Sequence, residues 1–274
     1  MEDLGISLLL LTVVVLVSEA TRITTTKFVS RKDYAIYLTE IISTFQLCAC
    51  THELKLLGEV GQIESHIGLT LTYIATVIHT LTFHEAIGNP SGTLERVYRR
   101  NLSGKSALAL IGCQFIAATM ANAVVAQVWA LGLSDLHHRH KRFGFKCTSP
   151  IHAALPTAVA VELACAFVVQ TAVTQMHRLD EKYRVHAMAA VVTALVYAGG
   201  SVTGAVFNPA LAFSIQFPCS GNTFMEYSLV YWLGPVLGMA SSVLLFDKIT
   251  LLLSRKSVYQ KDADLLDSNY KKIQ

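Results

Sequence analysis

Two Asn-Pro pairs, 119 residues apart, constrain this chain more than any other feature: Asn89-Pro90-Ser91 and Asn208-Pro209-Ala210. Each follows an apolar segment of membrane-spanning length. Each such segment is preceded by another that carries a single deep carboxylate. Glu40 lies 49 residues before Asn89, and Glu162 lies 46 before Asn208. One Asn-Pro is an ordinary turn signal. Two in the same place in two halves mark an internal repeat, and interrupted segments at matching places in an apolar chain point to a transport path.

Only 15% of the residues are charged, against about 25% in a soluble globular domain, so the chain reads as a multi-pass membrane protein in the lipid bilayer. Its apolar stretches run over about 4–20, 34–57, 67–87, 106–133, 153–176, 186–202 and 224–247. A spanning helix needs about 20 mainly apolar residues, which the last six meet or nearly meet. The segments after Pro90 and Pro209 are too short to cross, so each is expected to be a half-helix dipping into the membrane. The fold expected is all-α: six transmembrane helices plus two re-entrant half-helices in an inverted repeat, with an extra N-terminal membrane-associated helix.

The division expected is an N-terminal apolar helix and basic linker over 1–33, a channel domain over 34–247 and a cytosolic tail over 248–274. Within the channel domain, repeat 1 covers about 34–133 and repeat 2 about 152–247. With both ends of the core in the cytosol, 17 of the 22 Lys and Arg fall on that side, as the positive-inside rule prefers. The third loop, with Arg139, Lys141, Arg142 and Lys146, breaks that rule. A net charge of +3, with the basic residues at loops, gives no reason to expect nucleic acid as a partner. Glu2 and Asp3 are wrong for a cleaved signal peptide, so the first segment is expected to stay as a helix that spans or lies in the interface.

Proline suits the first turn of a helix, and an asparagine just before it caps that helix with its side-chain oxygen. The NH2 group is then free to donate into a lumen. Half-helices that enter from opposite faces meet N-terminus to N-terminus, and their positive dipole ends repel protons and cations. Such a path passes small uncharged solutes.

These motifs, with Glu40, Glu162, the run Thr203-Gly204-Ala205-Val206-Phe207-Asn208-Pro209-Ala210 and Tyr231-Trp232-Leu233-Gly234-Pro235 followed by Gly238, resemble the aquaporin family over residues 34–247. Ser91 departs from the Ala of most members. With the stretch from Phe45 to Leu54 and Tyr197-Ala198-Gly199-Gly200, it resembles the divergent superaquaporin branch, the eleven-type first and the twelve-type second. The resemblance implies a homotetramer with a pore in each subunit, and loop-bracing roles for Glu40 and Glu162. It also implies an outer constriction at Val196, Ala205 and Leu211, with a first-half contribution near residues 69–72. Leu211 stands where the family usually has Arg, so the filter is expected to be apolar, with slow or modest water flux and passage of glycerol or hydrogen peroxide.

Other features receive plainer readings. His52-Glu53 and His84-Glu85 do not continue as H-E-x-x-H, so no metalloprotease is expected, and no enzyme, cofactor or metal site. Asp135, His137, His138 and His140 read as a solvated loop. Cys147 and Cys219 fall in loops, and their spacing leaves pairing open. Gly200 with Gly204, and Gly234 with Gly238, have the spacing of close helix packing. Lys271 and Lys272 form a KKxx ending that a retrieval coat of the endoplasmic reticulum would recognise, in accord with the intracellular residence that the resemblance implies. Three other readings compete: a coupled secondary transporter, a seven-helix receptor, and a poorly conducting structural membrane protein with the channel fold.

Overall fold

The computed structural model describes residues 2–29, 32–176, 179–217, 219–249 and 251. Lys271 and Lys272, the expected retrieval signal, lie outside the described residues. The helices are α1 (Glu2–Phe28), α2 (Lys32–Glu59), α3 (Ser65–Thr82), α4 (Pro90–Tyr98), α5 (Gly104–Ala130), α6 (Asp135–Arg142), α7 (Leu155–Met176), α8 (Glu181–Thr203), α9 (Pro209–Ile215) and α10 (Phe224–Ile249). The order long, long, short, long occurs twice, as α2 to α5 and as α7 to α10. In each set the first helix packs on the last, and α3 packs on α8 across the two sets. At nine and seven residues, α4 and α9 are about 14 and 10 Å long, far short of the ~30 Å hydrocarbon core.

Five helices among the described residues are long and apolar enough to cross a membrane: α1, α5, α7, α8 and α10. The set includes α1 and leaves out α2 and α3, two of the six core spans expected. Both carry more polar groups than the reading allowed, and the structure satisfies most of them internally. On α3 the hydroxyls of Thr70, Thr72, Thr76, Thr80 and Thr82 each donate to the carbonyl four residues earlier, which removes the need for outside partners.

Helix α1 is 27 residues long, longer than its apolar stretch suggested, and runs antiparallel to α2. Its buried residues are polar, Ser7, Ser18 and Arg22, while Leu9, Leu16 and Val17 are exposed. That inverted pattern suits a helix with lipid on one side and protein on the other. Arg22 is 1% exposed. Its guanidinium donates to Glu19 at 3.0 Å, to Ser43 Oγ at 3.3 Å and to Gln46 Oε1 at 2.7 Å. At the other end Asp3 accepts from the Leu136 amide at 3.1 Å and pairs with Arg139 at 3.6 Å.

Helix α10 contains one π-helical turn, Leu229–Leu233, just before Gly234-Pro235. Pro235 has no N–H to give the ladder, and a wide turn before it absorbs the mismatch. The Tyr231 hydroxyl there donates to the Thr203 carbonyl at 2.6 Å, closing the end of α8. Gly238 lies against α7 so closely that a Cβ would sit 2.2 Å from the Leu163 carbonyl oxygen. The expected close packing therefore holds for Gly234 and Gly238. It does not hold for Gly204, which ends α8 at φ +84°, a left-handed cap that glycine adopts freely.

Candidate functional site

The two half-helices meet tip to tip. Asn89 caps α4 by accepting from the Ser91 amide at 2.9 Å. Asn208 caps α9 by accepting from the Ala210 and Leu211 amides at 3.1 and 3.3 Å. Pro90 and Pro209 occupy the first turn of each helix. The side-chain NH2 groups then cross. Asn208 donates to the Gly88 carbonyl at 2.7 Å, and Asn89 donates to the Phe207 carbonyl at 3.3 Å. This corrects the expectation that both NH2 groups are free: each asparagine uses one N–H on the opposite loop and keeps one for a further acceptor.

The residue before each asparagine has left-handed backbone, Gly88 at φ +61° and Phe207 at φ +38°, as does Ala205 at φ +46°. For Phe and Ala this is a sparsely populated region that persists only where the surroundings hold it. The two carboxylates do the holding. Glu40, on α2, accepts from the Ile87 and Gly88 amides at 2.9 and 2.7 Å and from Gln114 Nε2 at 2.6 Å. Glu162, on α7, accepts from the Val206 and Phe207 amides at 3.0 and 2.6 Å and from Thr203 Oγ1 at 2.6 Å. Both are about 1% exposed or less. A carboxylate's acceptor sites suit three buried donors, and no neutral side chain matches all of them.

Ser91 and Ala210 are buried behind the tips. Among the described residues the Ser91 hydroxyl has no hydrogen-bond partner, a cost that alanine at this position would avoid. Ala205 is 4% exposed, and Val196 is half-buried on α8. Leu211 packs against both core clusters, one containing Leu56 and Ala121 and the other Val206 and Val230. Glu85 is exposed and its carbonyl accepts from Arg96.

The sequence reading missed a second polar layer beyond α9. Glu53, 4% exposed, accepts from Ser7 Oγ, from Trp129 Nε1 at 2.7 Å and from His137 Nε2 at 3.3 Å. His52 bonds Ser214 Oγ at 3.0 Å. The histidine stretch is helical and only partly solvated: Asp135 and His138 are exposed, His137 and His140 are not. Ser134 caps α6, and His137 and His140 are 0% and 8% exposed, because they pack into the gap between Glu53 and Trp129. Burial, with the His137 ring and the Lys55 ammonium nearby, holds the His140 imidazole below its ordinary pKa against the opposing pull of the Glu53 carboxylate. Cys147 and Cys219 are disulfide-bonded, with Cα atoms 4.7 Å apart, which ties the third loop to the chain just after α9. The three-residue spacing of His137 and His140 and the presence of Glu53 and Trp129 are in the sequence, but nothing local says that they meet.

Comparisons with known proteins agree with this geometry. The family model described as "Major intrinsic protein" matches residues 73–246. Aquaporin-11 of Equus caballus is 38% identical over 247 residues, 90% of each chain. Aquaporin-11 of Homo sapiens is 36% identical over 246 residues, also 90% of each chain. Aquaporin-12 of Mus musculus is 33% identical over 249 residues, 89% of this chain and 86% of its own. The X-ray structure of the aquaglyceroporin from Plasmodium falciparum aligns with a TM-score of 0.64 at 14% identity, covering 80% of this chain and 97% of that one; at that identity it speaks to the fold alone.

Proposed function

From the premise that the chain belongs to the major intrinsic protein (aquaporin) family of membrane channels, most similar to the eleven-type branch and then to the twelve-type, we propose that it is a passive pore for water and small neutral solutes. Glycerol and hydrogen peroxide are the solutes proposed beyond water. The observation that carries this reading is the crossed pair of asparagines at the meeting half-helices. Each keeps one directed N–H, surrounded by positive helix ends. A single-file solute can accept that bond, while a proton or cation meets unfavourable charge. The members of this family are channels and not enzymes.

The site roles in this reading are Asn89, Pro90, Ser91, Asn208, Pro209 and Ala210 at the tips, and Glu40 and Glu162 as braces. Val196, Ala205 and Leu211 form the outer constriction. The chain acts as a homotetramer in an intracellular membrane, the endoplasmic reticulum first, where Lys271 and Lys272 serve retrieval by a coat.

The test is stopped-flow light scattering on proteoliposomes, with sucrose for water and glycerol for solute. Asn208→Asp keeps the capping oxygen but turns the donor that faces Gly88 O into an acceptor. Wild-type flux above empty vesicles, lost in this variant, is the expected result. Wild-type flux equal to empty vesicles for water, glycerol and hydrogen peroxide would leave the poorly conducting structural reading. Leu211→Arg in the same assay is expected to lower glycerol flux several-fold by narrowing the constriction. Unchanged glycerol flux would remove Leu211 from the filter.

A further inference from the structure

The outer constriction has an apolar residue at position 211, and one turn further along α9 the structure places a cation contributed by another helix. Lys55 lies on the last turns of α2, and its side chain is 15% exposed. Its ammonium donates to the Ile215 carbonyl at 2.9 Å, to Gln216 Oε1 at 2.9 Å and to Cys219 Sγ at 3.6 Å. Three partners for three donors hold the charge in a fixed position. Ile215 is one turn beyond Leu211 on α9, about 6 Å along the helix. Gln216 is 4% exposed and turns its amide nitrogen to the loop between α8 and α9, 3.2 Å from where a Cβ on Gly204 would stand. Gly204 adjoins Ala205. One hydrogen-bonded side chain therefore links Lys55 to the loop that carries the constriction. The neighbouring acid is Glu59, at 3.8 Å and half-exposed to screening.

We propose that Lys55 is a specificity-determining residue of this channel: its ammonium, fixed on Ile215, Gln216 and Cys219, is the positive charge that bars protons and cations at the constriction where Leu211 supplies none. The proposal rests on the channel reading above. A unit charge about 10 Å from a permeating cation, at the effective dielectric of a partly buried site, changes the cation's entry on the order of tenfold.

The experiment uses proteoliposomes of the full chain with an entrapped pH dye and a potassium diffusion potential. Lys55→Met and Lys55→Gln are compared with Lys55→Arg. Both neutral variants are expected to raise the proton leak on the order of tenfold, with glycerol flux still above empty vesicles. Lys55→Arg should stay near wild type, and adding Leu211→Arg to Lys55→Gln should bring the leak back down. Neutral variants that pass solute and leak no more than wild type overturn the proposal. A second measurement covers neutral variants that fail to fold. The residual ion permeability of the wild-type protein should favour chloride over potassium, and a preference for potassium overturns the proposal without any variant. Absence of solute flux in the wild type would instead sink the channel reading itself.

Discussion

Replacing Glu162 by leucine is expected to leave little folded protein, a melting temperature lower by about 10 °C or more in any fraction recovered, and no flux. The carboxylate accepts from the Val206 and Phe207 amides and from Thr203 Oγ1. Leucine fills the volume and satisfies none of the three. Each buried donor left without a partner costs about 1–3 kcal/mol, so the sum approaches the ~5–15 kcal/mol stability of a whole fold. The same donors hold Phe207 in left-handed backbone, so the tip that aims Asn208 would relax even where the bundle survives. Glu162→Gln should fall between, because glutamine keeps one acceptor oxygen and turns an NH2 toward an amide that also donates. The measurement is fluorescence-detected size exclusion with a thermal melt in detergent, with Glu40→Leu as the symmetric control. A leucine variant that melts within about 2 °C of wild type would show that Glu162 does not brace the loop.

The features that could be read in advance were those that the repeat doubled. Asn89 and Asn208, Pro90 and Pro209, and Glu40 and Glu162 each gained meaning from a partner at the same place in the other half. The bonds they make are short-range in the fold: an asparagine caps its own helix, and a carboxylate one helix away bonds two successive amides. The cap of α8 at Gly204 and the packing of Gly238 follow from the lack of a Cβ. The pair spacing suggested close packing at both, but only the structure separates a helix end from a helix contact.

What stayed hidden depends on contacts between distant segments with no counterpart in the other half. Ser7, Glu53, Trp129 and His137 come from α1, α2, α5 and α6, and no period links them. Charge in a membrane helix usually signals function, yet Arg22, Glu53 and Lys55 are positioned by partners 21 to 164 residues away. The histidine stretch reads as solvated in the sequence because its residues are polar. His137 and His140 are buried against Glu53 and Trp129, and Asp3 of α1 accepts from the Leu136 amide at the start of α6.

Loss of the Cys147–Cys219 bond is expected to lower the melting temperature by about 10 °C, because it closes a sequence separation of 72 residues. In the chain-entropy account such a loop is worth about 4 kcal/mol, and a protein of this length loses roughly 2–4 °C per kcal/mol. The link is reinforced by backbone bonds: the Ser220 amide donates to the Cys147 carbonyl at 3.1 Å and the Ser149 amide to the Ser220 carbonyl at 2.7 Å. It also fixes the sulfur that Lys55 contacts, so its loss should raise the proton leak as well. Cys219→Ser, and wild type treated with dithiothreitol, should show the same shift, while dithiothreitol adds nothing to the variant. Alkylation of denatured protein followed by intact mass checks the premise. The thiols of Cys48, Cys50, Cys113 and Cys165 are free, so four of the six cysteines should label without reductant and all six with it. Six labelled cysteines without reductant would dissolve the link. Disulfides persist on the oxidising side of a membrane, so the labelling pattern also bears on sidedness. A formed bond supports a luminal or extracellular third loop, despite the basic residues that run from Arg139 to Lys146.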